Sequence, residues 1–183
     1  EDQLHRLVAS GIDIPVGMKN PMSGDMDVLL NSIEAAQQEQ SLIYQGWEVL
    51  TEGNPFAHAI LRGYLDRGGN SHPNYHYEEL CLLHDKYKKR NLRNMSVIVD
   101  CNHSNSNKMP DEQLRIADEV IKLCCSYKEL DNFVRGIMVE SYIEDGNQLV
   151  GGHIYGKSIT DACIGWKKTE LLVNNLYDSL SNS

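Results

Sequence analysis

Four short apolar runs in this chain each stop on a residue able to do chemistry, and helical patterns separate them. "IDIPVGMKN" ends at Lys19, "FAHAILRG" at Arg62, "MSVIVDCNH" at Asp100 and His103, and "VRGIMVES" at Glu140. Runs of this length, rich in β-branched residues, read as strands buried on both faces. "SGDMDVLLNSIEAA" places Met26, Leu29, Leu30 and Ile33 at helical spacing, with Ser23 or Asp25 positioned to cap. "YEELCLLHDKYKKR" carries the basic tail that suits a helix C-terminus. "DEQLRIADEVIKLCCSY" puts Leu114, Ala117, Val120, Ile121 and Cys124 on one face, with Pro110 near its start. "KKTELLVNNLYDSL" is a last amphipathic helix, and "QLHRLVAS" reads as the tail of a first one. Strands that alternate with helices require parallel βαβ units. The expected fold class is therefore α/β, one domain over residues 1–183, with about four βα units. "SLIYQGWEVL" adds an extra strand near residues 42–50, set off by the turn signal "EGNP". Four units do not close a barrel, which needs eight.

Charge and cysteine usage narrow the partners. Acidic residues outnumber basic ones 26 to 17, for a formal charge of −9. That balance argues against nucleic acid and against an anionic membrane surface. An anionic ligand must be held by local cations working against the overall field. No apolar run approaches the roughly 18 residues of a spanning helix, and "EDQLHRLVAS" lacks signal-peptide architecture. The five cysteines are odd in number and form no CxxC, so reduced thiols in a cytoplasmic protein are expected.

In parallel α/β sheets, ligands bind at the carboxyl ends of the strands. Any one charged residue after a strand is ordinarily a solvated loop residue. Four such endings on one rim call for more. Lys19 and Arg62 can neutralise phosphate or carboxylate, the arginine in bidentate fashion. His103 and Glu140 offer nitrogen and oxygen to a divalent metal, and Asp161 in "YGKSITDACIGW" extends the donor set. His58, His72, His76 and His84 read as loop or surface residues, and Met26 and Met138 as core. The residue chemistry thus points to a metal-assisted enzyme acting on a phosphorylated small molecule.

Five segments, "PVGMKN", "HAILRG", "DCNHSNSNK", "MVESYIEDGNQ" and "YGKSITDACIGW", together resemble the second half of the type I 3-deoxy-7-phosphoheptulonate (DAHP) synthases, in family order and with compatible spacing. The resemblance runs from about Gly11 to the last helix. It implies a (β/α)8 TIM barrel of which this chain supplies about strands 5–8. It implies condensation of phosphoenolpyruvate with erythrose 4-phosphate, the first step of the shikimate pathway. Carried over motif by motif, Lys19 contacts phosphoenolpyruvate, Arg62 holds its phosphate, and His103, Glu140 and Asp161 ligate a divalent metal ion (Mn, Fe, Co or Zn). Three family motifs have no counterpart here: the GPCSIH type, whose cysteine is the fourth ligand, the KPRTS type and the ARTTES type. Cys101 stands beside the ligand set without matching that pattern. The resemblance further places Asp13 and Tyr44 near effector-binding positions. It implies a half-barrel, weakly active or inactive alone, that needs its missing N-terminal half or another copy. The alternative is a non-catalytic half-barrel that serves binding or assembly.

Overall fold

Short strands become stable only when their neighbours supply hydrogen bonds and cover both faces, and the four predicted strands do this for one another. In the computed structural model, residues 3–181 are described; residues 1, 2, 182 and 183, which the assignment of one domain over 1–183 takes in, lie outside them. The chain begins with α1 (Gln3–Ser10), β1 (Gly17–Lys19) and α2 (Met26–Gln37). It continues through β2 (Gln40–Tyr44), β3 (Trp47–Thr51), β4 (His58–Leu61), β5 (Tyr64–Leu65), β6 (Ser71–His72) and α3 (Tyr77–Arg90). The last elements are β7 (Val97–Asp100), α4 (Glu112–Ser126), α5 (Lys128–Asp131), β8 (Val134–Met138) and α6 (Trp166–Ser181). The main sheet runs β1-β4-β7-β8, with every pair parallel. Lys19 pairs with Ile60, Leu61 with Val99, and Asp100 with Met138, so all four carboxyl ends reach one rim.

The helices that connect these strands supply the core. Leu29, Leu30 and Ile33 of α2, Leu80, Leu83 and Tyr87 of α3, and Ile116, Ala117 and Val120 of α4 pack in one cluster with Ala59, Leu61, Val97 and Val99. The α2 cap is Asp25, not Ser23: its Oδ1 accepts the N–H groups of Asp27 (2.8 Å) and Val28 (3.2 Å). At the far end of α3, Asn91 takes the left-handed conformation after the basic last turn. Met26 packs partly buried against the core. All five cysteines are free. Among the described residues, no helix is long and apolar enough to cross a membrane.

Two readings of the sequence are corrected. The extra strand near residues 42–50 is a hairpin: β2 and β3 pair antiparallel, as a sheet of their own, with Tyr44 opposite Trp47. Its two-residue loop, Gln45 (φ 50°) and Gly46 (φ 84°), has the pair of positive φ angles of a type I′ turn. A polar pair so short inside an apolar run leaves the period-2 pattern looking continuous. His58 is not a loop residue. It is buried in β4, with Nδ1 3.0 Å from the Phe56 carbonyl. The polar stretch "DRGGNSHPN" carries a second small hairpin, β5 with β6, within and beside it.

That second hairpin is organised by one carboxylate. Asp66 accepts from the Asn70 side-chain amide (2.9 Å), the Asn70 N–H (2.9 Å) and the Gly68 N–H (2.8 Å), and lies 3.0 Å from His72 Nε2. The Asn70 amide above all, then His72 and the two backbone N–H groups, hold its carboxyl well below the usual range. A folded-state pKa below the unfolded value of about 3.9 stabilises the hairpin above about pH 4. That contribution is lost as pH falls through the lowered value. On acidification, the Gly68 and Asn70 amides are expected to lose exchange protection before the core strands. Asp66→Asn is expected to remove this pH dependence in an NMR titration.

Candidate active site

The rim is built around the end of β7. Asp100 has no exposed side-chain surface. Burial alone would raise its carboxyl pKa; His103, the Lys19 ammonium at 2.8 Å and the Asn102 N–H at 3.0 Å outweigh that and hold it below the usual value. The chain then leaves the sheet through a tight segment in which His103 (φ 53°), Asn107 (φ 52°) and Lys108 (φ 58°) are all left-handed. This turn is closed by the Lys108 N–H donating to the His103 carbonyl at 2.8 Å. It aims the imidazole along the rim. His103 Nδ1, shut off from solvent, lies 3.0 Å from Asp100 Oδ2. His103 Nε2 lies 3.4 Å from Glu140 Oε1 and 3.8 Å from Asp161 Oδ2. The Asp100 carboxylate raises the imidazole pKa, and burial opposes it.

Three buried asparagines tie the strand ends together. Asn20 follows β1; its Oδ1 accepts the Arg62 N–H (2.9 Å) and the Asn74 amide (3.3 Å), and its Nδ2 donates to the Gly63 carbonyl (2.8 Å). Asn74 Oδ1 accepts the Gly63 N–H at 2.7 Å, and the Asn74 N–H donates to Asn105 Oδ1 at 2.9 Å. Asn105 Nδ2 donates to the carbonyls of Leu61 (3.1 Å) and Asp100 (2.8 Å). The loops after β1, β4 and β7 thus share one network, and Arg62 leaves β4 from a fixed backbone. Gly63 (φ 73°) sits so close to this network that an added Cβ would stand 2.6 Å from the Asn105 nitrogen.

The site residues divide by position. His103 Nε2, Glu140 and Asp161 each offer one donor atom, and all three lie within 4.8 Å of one another. Donors that sit about 2.1 Å from a shared ion are separated by roughly 3–4 Å, so this nitrogen and two carboxylates fit a divalent metal. Arg62, His103 and Asp161 line one cleft of ≈ 290 Å³, together with Lys108, Met22 and Leu65. Lys19 and Glu140 are not among its lining residues; each joins the group through a contact, Lys19 by way of Asp100 and Glu140 by way of His103. Cys101 is fully buried, its thiol pushed up to about 12 by burial and then by Asp100, and it is not one of the three converging donors. Asp13 lines a separate cleft beside β3, and Tyr44 does not. Sequence reasoning passed over Asp100 as a partner, Lys108 as a cleft residue and the asparagines as fasteners. Only Asp100 carried a signal, a carboxylate on the last residue of a buried strand.

Each buried amide here holds backbone groups that have no other strand to pair with. Asn74→Ala leaves the Gly63 N–H without its acceptor, an omission that costs about 1–3 kcal/mol. Urea unfolding of the variant is expected to show a loss of that size, with Arg62 less ordered.

Over residues 1–174 the chain matches the family model described as the DAHP synthetase I family. It is 34% identical over 195 residues to the Trp-sensitive phospho-2-dehydro-3-deoxyheptonate aldolase of Enterobacter agglomerans, covering 100% of this chain and 52% of that protein. It is 36% identical over 190 residues to the Tyr-sensitive enzyme of Salmonella typhimurium, covering 99% and 51%. To the Tyr-sensitive enzyme of Enterobacter agglomerans it is 35% identical over 189 residues, covering 98% and 84%. Its fold matches the solved structure of phospho-2-dehydro-3-deoxyheptonate aldolase from Francisella tularensis SCHU S4 with a TM-score of 0.85 at 27% identity, over 99% of this chain and 52% of that one. The chain spans about half the length of most of these relatives. On a match that takes in all but its last residues, the chain belongs to the DAHP synthetase I family.

Proposed function

We propose that this chain forms about strands 5–8 of a (β/α)8 DAHP synthase barrel and contributes to the metal-dependent condensation of phosphoenolpyruvate with erythrose 4-phosphate. One observation carries the proposal: His103 Nε2, Glu140 and Asp161 converge within 4.8 Å at the mouth of a parallel sheet, beside a cleft that Arg62 and Lys108 line. In this reading His103, Glu140 and Asp161 hold a divalent ion (Mn, Fe, Co or Zn), which supplies Lewis acidity toward the aldehyde oxygen. Arg62 takes the phosphate of phosphoenolpyruvate with its planar donor fork. Lys19 contacts the same substrate while it neutralises Asp100. Asp100 keeps His103 Nε2 turned toward the two carboxylates.

The remaining ligand and the aldehyde-phosphate site come from the complementary half of the barrel or from a second copy. Among the described residues, β1 and β8 each have one pairing neighbour in the sheet, which leaves two edges for such a partner. Substrate orientation contributes about 7–11 kcal/mol to barrier lowering, so the chain alone binds but turns over weakly or not at all. The second reading is a half-barrel that binds or assembles without chemistry, and the two edge strands of the sheet favour it. In either reading the chain works in the cytoplasm.

Calorimetry on the folded chain is expected to show binding of Mn²⁺ and then of phosphoenolpyruvate, weakened at least tenfold in His103→Asn, which suits the left-handed backbone. A coupled assay is expected to show little product from the chain alone and turnover on mixing with the complementary half. Absence of heat change in a folded sample removes the metal site. Binding without rescue on mixing selects the non-catalytic reading.

A further inference from the structure

Glu140 lies beyond the end of β8, where no neighbouring strand reaches its backbone N–H. That group donates to Gln113 Oε1 at 2.8 Å, and Gln113 Nε2 donates back to the Glu140 carbonyl at 3.1 Å. Gln113 belongs to the first turn of α4 and has no exposed surface. Its amide serves the Glu140 N–H as a strand edge would, since a primary amide offers a donor and an acceptor side by side, and the Glu140 carbonyl accepts the Ile164 N–H as well, at 3.1 Å. The Glu140 side chain is gripped separately. Asn102 Nδ2 donates to Glu140 Oε2 at 2.8 Å, and Ser106 Oγ in turn donates to Asn102 Oδ1 at 2.8 Å. Asn102 and Ser106 are buried as well. Asn102 Nδ2 also reaches the carbonyl of Ala162, next to Asp161, at 3.5 Å. With Oε2 taken by Asn102, it is Oε1 that faces His103 Nε2.

We propose that Gln113 and Asn102 are positioning residues that hold Glu140 as a preorganised carboxylate donor, with Ser106 locking Asn102. The proposal rests on the reading of His103, Glu140 and Asp161 as metal ligands. Gln113 fixes where the Glu140 main chain lies, and Asn102 fixes which carboxylate oxygen is offered. Groups of this kind orient the ligand they touch, and losing one lowers metal affinity roughly 10–100-fold. A purely structural role would be to satisfy buried backbone groups, and the fold contains a residue that does this away from the rim. Gln37, also buried, donates to the Ala57 carbonyl and accepts the Arg93 N–H, both at 3.1 Å.

The test uses the full 183-residue chain, Mn²⁺ titration by calorimetry and the visible absorption of bound Co²⁺. Gln113→Met and Asn102→Ala are expected to weaken Mn²⁺ binding roughly 10–100-fold and to change the Co²⁺ spectrum. Gln37→Met is expected to lower the unfolding midpoint while leaving affinity and spectrum unchanged. Unaltered binding and spectra in Asn102→Ala overturn the proposal, whether or not Gln113→Met folds. An equal loss of affinity in Gln37→Met overturns it too, because general loosening then explains everything. If the folded, unsubstituted chain binds no Mn²⁺, the metal-site reading itself fails, an outcome distinct from failure of the positioning role.

Discussion

A carboxylate with no access to water sits at the centre of this rim. An unpaired buried charge costs several kcal/mol, and removing one member of a buried pair costs about 3–5 kcal/mol. Asp100 is tolerable because β1 and β7, each in parallel register with β4 between them, bring the Lys19 ammonium to it, and a tight turn delivers His103. The same two groups are, with Arg62, nitrogen-bearing candidates for chemistry at this end of the sheet. Charge neutralisation and site assembly are therefore one requirement, and a fold that failed to bring Lys19 to the rim would bury a naked anion.

Around that charged centre the fastening is done by neutral amides. Asn20, Asn74 and Asn105 bind the loops to one another, and Gln113 and Asn102 hold Glu140. A primary amide satisfies a buried N–H and a buried carbonyl without adding charge. Lysine or glutamate in these places would compete with Asp100, His103, Glu140 and Asp161 for counter-ions. Keeping the scaffold uncharged leaves the cations at the cleft, Arg62 and Lys108, able to face an anionic ligand in a chain whose formal charge is −9.

The parallel sheet and its rim residues were legible in the sequence because apolar runs break off at Lys19, Arg62, Asp100 and Glu140, and amphipathic helices fill the gaps. Both hairpins escaped notice for lack of pattern: Gln45 and Gly46 interrupt an apolar run by only two residues, and β5 and β6 are two residues each. His58 looked like a polar loop residue, since nothing in "FAHAIL" says that a carbonyl lies within reach of the ring. The amide network was invisible for a deeper reason. Asparagine is common in loops, and its value here comes from groups far along the chain, such as the Leu61 carbonyl, 44 positions from Asn105. Gln113 likewise looks like any polar position on the wet side of a helix until the path of the chain after β8 is known.

The left-handed backbone at His103, Asn107 and Lys108 has an evolutionary consequence. Residues other than glycine and asparagine store about 1–3 kcal/mol each in such conformations. At position 103, asparagine or glycine would relieve that tension at once, and the imidazole would be gone. A lineage selected only for robustness should therefore drift away from histidine there, whereas one that keeps it must be recovering the cost through the chemistry the ring performs.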